Sequence, residues 1–425
     1  MTRSKIISAI DVGSTKIAVL IGQKNEESSK INIIGAASIP SLGIRKGQIV
    51  DIEQASETII KAVEAAERMA GLSVAKILVS VGGAHIASQN SHGVVAVAEP
   101  EGEIVDEDIK RAIEAARAIS LPSSREILHV IPRTFTVDSQ QGVADPVGMS
   151  GVRLEVETHI ITGSTTAIKN LTKCIAEVGA TVDSLVYEGI ASSEAVLTQT
   201  EKELGVILLD IGGGTTSIVV LVENAPAYTA VLPIGARNLT NDLAIGLRLS
   251  LDGAEKLKIA LSKERQAEGT EKPNEDEIDL AKIGIYEETK KVSRKTLIEG
   301  IIRPRLNEIF DMVAAEIQKS GFAGLTPSGV VLTGGGALTI GAAESCRRCL
   351  SLPVRIGVPD EVSGLIDDIL SPAFSAAIGL LFFGFKTKTE KESGFALTRL
   401  SSMAHKVPIR GLVGRVGSFI RSFLP

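Results

Sequence analysis

The sequence predicts an α/β protein built from two copies of one fold, and three observations carry that expectation. Near the amino terminus, Ile10, Asp11, Val12, Gly13, Ser14, Thr15 and Lys16 lead into the apolar run Ile17 to Ile21. Near the middle, Val206 to Leu209 lead into Asp210, Ile211, Gly212, Gly213, Gly214, Thr215, Thr216 and Ser217, and then into Ile218 to Val222. Each is an apolar strand, an Asp, a tight Gly-rich turn with hydroxyls and a second strand, the pattern of a β-hairpin at an edge of a larger sheet. The third observation is Val330 to Thr333 followed by Gly334, Gly335, Gly336, Ala337 and Leu338, an apolar strand that ends in a glycine turn before a helix-like stretch.

At 425 residues the chain exceeds one ordinary core, so two or more domains are expected. Apolar residues make up 44% and charged residues 23%, the usage of a globular protein rather than a disordered one. Aromatics are 3%, Trp is absent and the net charge is −6, which together exclude a base-stacking surface and a broad phosphate-binding field. No nucleic acid partner is expected. Three cysteines cannot make a disulfide framework in so long a chain, and Cys346 and Cys349, with no second Cys/His pair nearby, read as an incidental helix spacing in a reducing compartment. The opening run Ile6 to Ile10 is too short for a secretory segment. No run reaches the ~18 apolar residues that cross a bilayer, and the richest, Ile378 to Phe385, is broken by Gly379 and Gly384. A cytoplasmic protein is expected, with any membrane contact peripheral.

The residue types in the hairpins suit phosphate. Glycine permits φ > 0 and close approach, exposing N–H groups to phosphate oxygens, while Ser and Thr hydroxyls add donors. An Asp beside each turn would repel phosphate on its own, so Asp11 and Asp210 are read as holding Mg²⁺, directly or through water, against the phosphates. Two opposed hairpins of this kind clamp a nucleotide. The third glycine cluster lets backbone lie flush against a flat base or ribose. It is neither a Walker A loop, lacking Gly-Lys-Ser/Thr, nor a Rossmann fingerprint, lacking the Gly-x-Gly-x-x-Gly spacing.

The carboxyl-terminal end carries a separate signal. After the charged linker Lys386 to Ser393, the chain from Ser401 onward contains no acidic residue. On a helix, Ile409, Leu412, Val413, Val416, Phe419, Ile420, Phe423 and Leu424 share an arc of about 140°, with Arg410, Arg415 and Arg421 on or at the edges of the opposite face. That suits burial at the headgroup boundary of an anionic membrane surface. Gly411, Gly414 and Gly417 each cost about 1 kcal/mol relative to Ala, so the helix is expected to form on meeting lipid. A terminal helix packed on a core is the alternative, which the polar linker and wholly basic charge disfavour.

Two phosphate hairpins, a later glycine motif and connecting helices in this order resemble the actin, Hsp70 and sugar-kinase superfamily. Within it, the chain resembles the FtsA family of bacterial cell-division proteins over nearly its whole length. The most specific stretch is Asp145, Pro146, Val147, Gly148, Met149, Ser150, Gly151, Val152, Arg153, Leu154 and Glu155, similar to the segment that closes that family's inserted subdomain. Tyr187 to Leu197 and Leu370 to Leu380 are similar to its connecting segments. The resemblance implies an actin-like fold: two RNase-H-like domains around a nucleotide cleft, an inserted subdomain 1C and a carboxyl-terminal amphipathic helix. Residues 1–83, 164–202 and 365–385 would form subdomain 1A, residues 84–163 the SHS2-like 1C, residues 203–244 and 305–364 subdomain 2A, and residues 245–304 subdomain 2B. Residues 386–406 would be a linker and residues 407–425 the membrane-targeting helix. Asp106 to Ser120 in the insert has helical periodicity, with Ile109, Ala112, Ile113, Ala116 and Ile119 on one face. Ser262 to Asp279 is polar and acidic and reads as a surface excursion.

For the site, the resemblance implies ATP and Mg²⁺ as cofactors. Asp11, Gly13, Ser14, Thr15 and Lys16 would form the first phosphate motif, Asp210 with Gly212, Gly213, Gly214, Thr215 and Thr216 the second, and Gly334, Gly335, Gly336 and Ala337 the adenosine side. Glu255 and Lys258, i and i+3 on one helix face, resemble the pair that reaches ribose and base; a solvated ion-pair face is the alternative. Glu188 lies where actin-like ATPases place the group that positions water, with weak turnover at most. The pattern departs here, since several superfamily members have Pro after this Glu and this chain has Gly189, so a structural Glu at a helix start is the alternative. Implied partners are the acidic, partly apolar tail of the tubulin-like FtsZ, further copies of the chain in a polymer, and other division proteins through 1C, on the cytoplasmic side of the inner membrane at the septum. The tail would meet Arg294, Lys295, Arg303 and Arg305 flanked by Leu297, Ile298, Ile301 and Ile302. The rival readings are a PilM-like pilus-assembly scaffold and a small-molecule kinase of the same superfamily.

Overall fold

The strands that flank Asp11 and Asp210 are apolar on both faces, and they lie inside their sheets rather than at an edge. This is the first departure from expectation: a strand buried on both sides gains most where strands flank it as well. The structure, a computed structural model, describes residues 5–24, 30–98, 102–267, 276–287, 289–364 and 369–387. One sheet has the order Thr181–Tyr187, Lys76–Val81, Lys5–Val12, Lys16–Lys24, Ile31–Pro40, Val362–Gly364. The other has the order Val354–Ile356, Val330–Thr333, Val206–Ile211, Thr216–Val222, Ala225–Leu232.

With the short strand Val362–Gly364 set aside, the two orders are the same. In each, three consecutive strands pair antiparallel and two later ones add in parallel on the far side. Parallel neighbours need a crossover connection. Helices Ile52–Ala70 and Thr165–Ala176 supply it in the first half, and Arg303–Ser320 and Ala342–Leu350 in the second. Helix Ile52–Ala70 illustrates the local reason. Asp51 caps it by accepting the Gln54 N–H at 3.1 Å, worth about 1 kcal/mol, and Gly71 ends it with φ 68°. Ala55, Ile59, Ala62, Val63 and Ala66 face inward at helical spacing.

Two expected boundaries meet the elements differently. Val362–Gly364 already pairs with Ile31, Asn32 and Ile33 of the first sheet, so the chain has returned before residue 365. The limit at residue 202 falls inside helix Gln199–Leu204, which the Thr198 and Glu201 capping box closes as a unit. The described residues of 245–304 share a core with the second large sheet. Leu257, Leu261, Leu280, Leu297 and Ile302 are buried in one cluster with Ile207, Leu209, Val220 and Phe310. The stretch from Ser262 begins as the end of helix Leu251–Ala267, with Ser262 buried, and its middle lies outside the described residues.

The chain divides into two units, Met1–Phe382 and Phe383–Pro425. Of the second, residues 383–387 are helical; the linker and the expected anchor, from Ile409 through Leu424, lie outside the described residues. No helix among the described residues is long and apolar enough to cross a membrane.

Between Lys76–Val81 and Thr165–Ala176 the chain makes a separate antiparallel sheet, ordered Ala87–Ala96, Arg153–Ser164, Arg125–Val137, Gln140–Val143. Helix Asp106–Arg117 covers it. Ala112 and Ala116 are buried and Ile109 and Ile113 pack on the core, but the helix stops before Ile119. This inserted sheet lies along the open edge of the second large sheet. Ser88 Oγ accepts the Thr229 N–H at 3.2 Å and donates to the Thr229 carbonyl at 2.8 Å, and Asn90 Nδ2 donates to the Ala227 carbonyl at 3.2 Å. Side chains thus satisfy an edge that would otherwise invite another strand.

His159 is fully buried in that contact, 2.7 Å from Asn90 Oδ1 and 3.2 Å from Thr229 Oγ1. Burial, with the charge of Arg133 and the neighbouring His129 adding to it, holds its pKa down at about 3. A histidine whose folded pKa lies below its unfolded value of about 6.5 contributes stability above that value and loses it as pH falls toward the folded one. Between pH 7 and pH 5 the loss should be about 2 kcal/mol. Urea unfolding of the parent and of His159→Asn at both pH values checks this: the parent should lose about that much more than the variant, and equal losses would show that His159 does not titrate on unfolding.

Candidate functional site

A cavity of about 1000 Å³ lies between the two large sheets. Asp11, Gly13, Ser14, Thr15 and Lys16 line it from one half, Asp210, Gly212, Gly213, Thr215, Glu255 and Lys258 from the other, and Gly334 to Ala337 close its far end. Glu188 lies between the hairpins. Two predicted residues stand apart from this lining. Thr216 is fully buried and donates to the Ile234 carbonyl at 2.9 Å, bracing the loop before helix Ala236–Leu247. Gly214 packs on the opposite hairpin, where a Cβ would come 2.8 Å from Ser14 Oγ.

The glycines act through closeness rather than handedness. None of Gly13, Gly212, Gly213 and Gly214 has positive φ. A Cβ on Gly213 would collide with Thr15, and one on Gly13 would lie 2.9 Å from the Lys16 carbonyl. Gly334 does need its residue type twice over: φ is 80°, and a Cβ would collide with Asp210 Oδ1. The second hairpin is braced from behind, because the Ala236 and Arg237 N–H groups at the start of helix Ala236–Leu247 donate to the Gly212 and Gly213 carbonyls at 2.9 and 2.8 Å.

Three of the carboxyl groups that line the cleft, those of Asp11, Asp210 and Glu188, lie with Lys16 near the hairpins; Glu255, Lys258, Arg237 and Lys263 line it as well. Asp11 Oδ1 accepts from Ser80 Oγ at 2.7 Å, and burial pushes its pKa up against that bond and the charge of Lys16. Asp210 Oδ2 accepts from Ser192 Oγ at 2.5 Å; burial pushes it up to about 6, with Asp11 adding to the rise. Lys16 is pushed down to about 8 by burial, against the pull of Asp11 and Asp210. Its Nζ donates to the Ala373 carbonyl and sits 3.4 Å from the Phe374 ring centre. Glu188, first residue of helix Glu188–Val196, accepts from Ser217 Oγ at 2.5 Å and is pushed up to about 8 by burial and then by Asp210. Two facing carboxylates held above their usual range by burial are a donor set that a hard divalent cation satisfies.

The structure gives a reason for Gly189, where the superfamily pattern departs. A Cβ there would lie 2.6 Å from Val219 Cγ2 and 2.7 Å from the Tyr187 ring, so a bulkier residue does not fit. Lys258 is buried, with Nζ 2.8 Å from Glu255 Oε2, 2.9 Å from Thr240 Oγ1 and 3.3 Å from the Ala236 carbonyl. It is not the solvated ion pair of the alternative reading. Sequence reasoning missed the hydroxyls of Ser80 and Ser192 and the lysine cradle at Ala373 and Phe374, which come from elements remote in the chain. Cys346 and Cys349 are free thiols on helix Ala342–Leu350, with Cys346 buried.

The basic set of residues 294–305 is spread out. Arg305 holds Asp242 at 2.6 and 3.0 Å and also bonds Glu308, and Arg303 pairs with Glu299. The Lys295 side chain is exposed and that of Arg294 half-buried. The apolar flank is turned mostly inward: Leu297 and Ile302 are fully buried, and Ile298 and Ile301 are partly buried against the cluster that holds Ile207, Leu209 and Phe310. A groove of about 390 Å³ lies nearby, lined by Gly246, Leu247, Arg248, Thr289, Lys291, Val292, Ser293, Thr296 and Leu297.

Duplicated sheets around a glycine-lined cleft define the actin-like class of proteins. Residues 207–379 match the family model described as cell division protein FtsA, and residues 83–162 match the SHS2 domain inserted in FtsA. The chain belongs to the FtsA family of cell-division proteins. It is 38% identical to cell division protein FtsA of Pseudomonas aeruginosa over 390 residues, 91% of each chain. It is 40% identical to that of Neisseria meningitidis over 385 residues, 89% of this chain and 90% of the relative, and 33% identical to that of Escherichia coli K12 over 399 residues, 92% and 93%. Solved structures share the fold at lower identity. The PilM-PilN type IV pilus biogenesis complex matches with TM-score 0.62 and 17% identity over 89% of this chain and 98% of that one. MreB5 of Spiroplasma citri bound to ADP matches at 0.52 and 14% over 91% and 98%, and the MamK double helical filament at 0.51 and 13% over 89% and 98%. The pilus reading therefore stands only as a distant likeness of fold.

Helix packing fixes Glu188 and Ser192 in the cleft. Residues 375–382 are helical and cross helix Glu188–Val196 so closely that a Cβ on Gly379 would collide with the Ala191 carbonyl. Gly379→Val should force the helices apart and cost about 1–3 kcal/mol. Chemical denaturation measures it, and an unchanged midpoint would mean that the crossing is not tight.

Proposed function

We propose that this chain is an actin-like, ATP-binding cell-division protein that polymerises on the cytoplasmic face of the membrane, ties the FtsZ ring to it and helps recruit later division proteins through the inserted subdomain. The observation that carries this reading is the pair of facing hairpins with Asp11 and Asp210 deep between them, in a member of the FtsA family. ATP would lie with its phosphates on the hairpin backbones and the Ser14, Thr15 and Thr215 hydroxyls, and with its adenosine between Glu255, Lys258 and Gly334 to Ala337. Asp11 and Asp210 would hold Mg²⁺; they supply only part of its oxygen shell, leaving the rest to phosphate and water. Bound Mg²⁺ would neutralise charge on the phosphates. Glu188, fixed by Ser217, is the group placed to orient water, and a carboxyl held up to about 8 suits slow turnover. The like-folded MreB5 was solved with ADP and with AMPPNP, and the like-folded MamK as a filament, which supports nucleotide binding and self-assembly here.

Asp210→Ala should weaken Mg-ATP binding by tenfold or more, about 1.4 kcal/mol, in calorimetry, while Lys61→Ala, an exposed surface change, should not. Binding by both variants at the parent's strength would remove the clamp assignment.

On an anionic lipid monolayer with Mg-ATP, electron microscopy of the full chain should show membrane-bound filaments. Truncation at Ala404 or Phe419→Glu should leave bare lipid, since the anchor read in residues 407–425 loses its apolar face. Filaments bound equally without those residues would place the anchor elsewhere. The FtsZ tail is proposed to lie in the groove at Arg248 and Lys291, beside Arg294 and Lys295. A labelled tail peptide should decorate the bound filaments, and Lys295→Glu with Arg294→Glu should weaken it in a salt-sensitive way; unchanged decoration at low salt would move the site.

A further inference from the structure

The inserted sheet touches the edge strand of both large sheets, and the contact with the first includes a specific hydrogen bond. Thr181–Tyr187 is the outer strand of the first sheet, and the Tyr187 N–H donates to His129 Nε2 at 2.9 Å, across from the insert's strand Arg125–Val137. Tyr187 is the residue before Glu188. The root of the insert reaches the same carboxyl from another side: the chain enters the insert through Gly82 and Gly83, and a Cβ on Gly82 would collide with Glu188. The strand that carries His129 also carries Arg133, which pairs with Glu157 at 2.5 Å and lies 5.4 Å from the Phe322 ring of the second half. The Tyr187 hydroxyl meanwhile donates to the Ala230 carbonyl of the second sheet's edge at 3.2 Å.

We propose that His129 is a positioning residue for Glu188: by accepting the Tyr187 N–H at the turn into the Glu188 helix, it couples the seating of the inserted sheet to the phosphate end of the nucleotide cleft. The proposal rests on the nucleotide reading of that cleft. His129 is half-buried, and desolvation pushes its pKa down to about 4, so Nε2 keeps the lone pair that this bond needs at physiological pH. Coupling follows because one sheet is fastened to both halves. Any change in their separation on nucleotide binding must either carry the insert with it or break the bonds at Tyr187, Thr229 and Ala227.

Hydrogen exchange with mass spectrometry on the full chain, with and without Mg-ATP, tests this, with ATP binding measured by calorimetry on the same samples. In the parent, ATP should slow exchange about threefold or more in peptides covering residues 126–133 and 184–190 together. His129→Ala should bind ATP and keep the slowing at residues 334–338, yet lose it at residues 126–133. His129→Gln, whose Oε1 can occupy the Nε2 position, should restore it. A merely structural histidine would raise exchange in both states and leave the ATP-dependent difference intact. Retention of that difference in His129→Ala, or its absence in a parent that binds ATP, overturns the proposal. The parent measurement decides even where His129→Ala does not fold. A parent that binds no ATP in calorimetry overturns the nucleotide reading and the proposal with it.

Discussion

Gly213 and Gly214 lie so close to Thr15 and Ser14 that a Cβ on either would meet the opposite hairpin, at 2.6 Å from Thr15 Oγ1 and 2.8 Å from Ser14 Oγ. The two halves therefore approach through bare backbone, and the rest of the cleft follows from that approach. It brings Asp11 and Asp210 into one buried space, where desolvation raises both and Asp11 adds to the rise of Asp210. It also draws Ser217 of the second hairpin onto Glu188 of the first half's connecting helix. A side chain at either glycine would lower the cost of burying those carboxylates, but it would do so by opening the place where phosphate and cation are proposed to lie.

The charges are tolerated because each has a hydroxyl or amide aimed at it from a rigid element. Ser80 lies near the end of an inner strand, Ser192 sits in a helix held against Gly379, and Ser217 lies near the start of a strand buried on both sides. Such donors cannot shift far without breaking strand pairing, so the site is shaped before any ligand arrives. The inserted sheet adds a second polar seam, of Ser88, Asn90, His129 and His159, on the open edges of both large sheets. Hydrogen bonds at an edge are specific in register yet weaker in sum than a packed core.

The FtsA family identity ties this cleft to cell division, and the site's composition sets the chemistry that identity can use. Two carboxyl groups, Asp11 and Asp210, facing one another between the hairpins favour a cation-bound phosphate over a bare one. Burial, with Asp210 adding to it, pushes Glu188 up to about 8, which would favour slow turnover in the water-orienting role proposed for it.

Much of this was legible in the chain. The duplicated strand–Asp–glycine–strand pattern announces two like sheets, because apolar runs broken by glycine have few other solutions, and the glycine-rich lining of the cleft falls in short sequence clusters that only the fold brings together. The helix of the insert follows from helical spacing, whereas the Glu255 and Lys258 pair was singled out by the family resemblance. What the sequence could not show is whatever depends on elements far apart in the chain. That the hairpins are central rather than peripheral was decided by strands that arrive much later. That their glycines serve contact rather than φ was decided by the opposite hairpin. That Leu297, Ile298, Ile301 and Ile302 face a core rather than a partner was decided by which side of the helix the second sheet occupies. Periodicity marks a face as apolar, but only the tertiary structure says what covers it, since local spacing carries no record of distant neighbours.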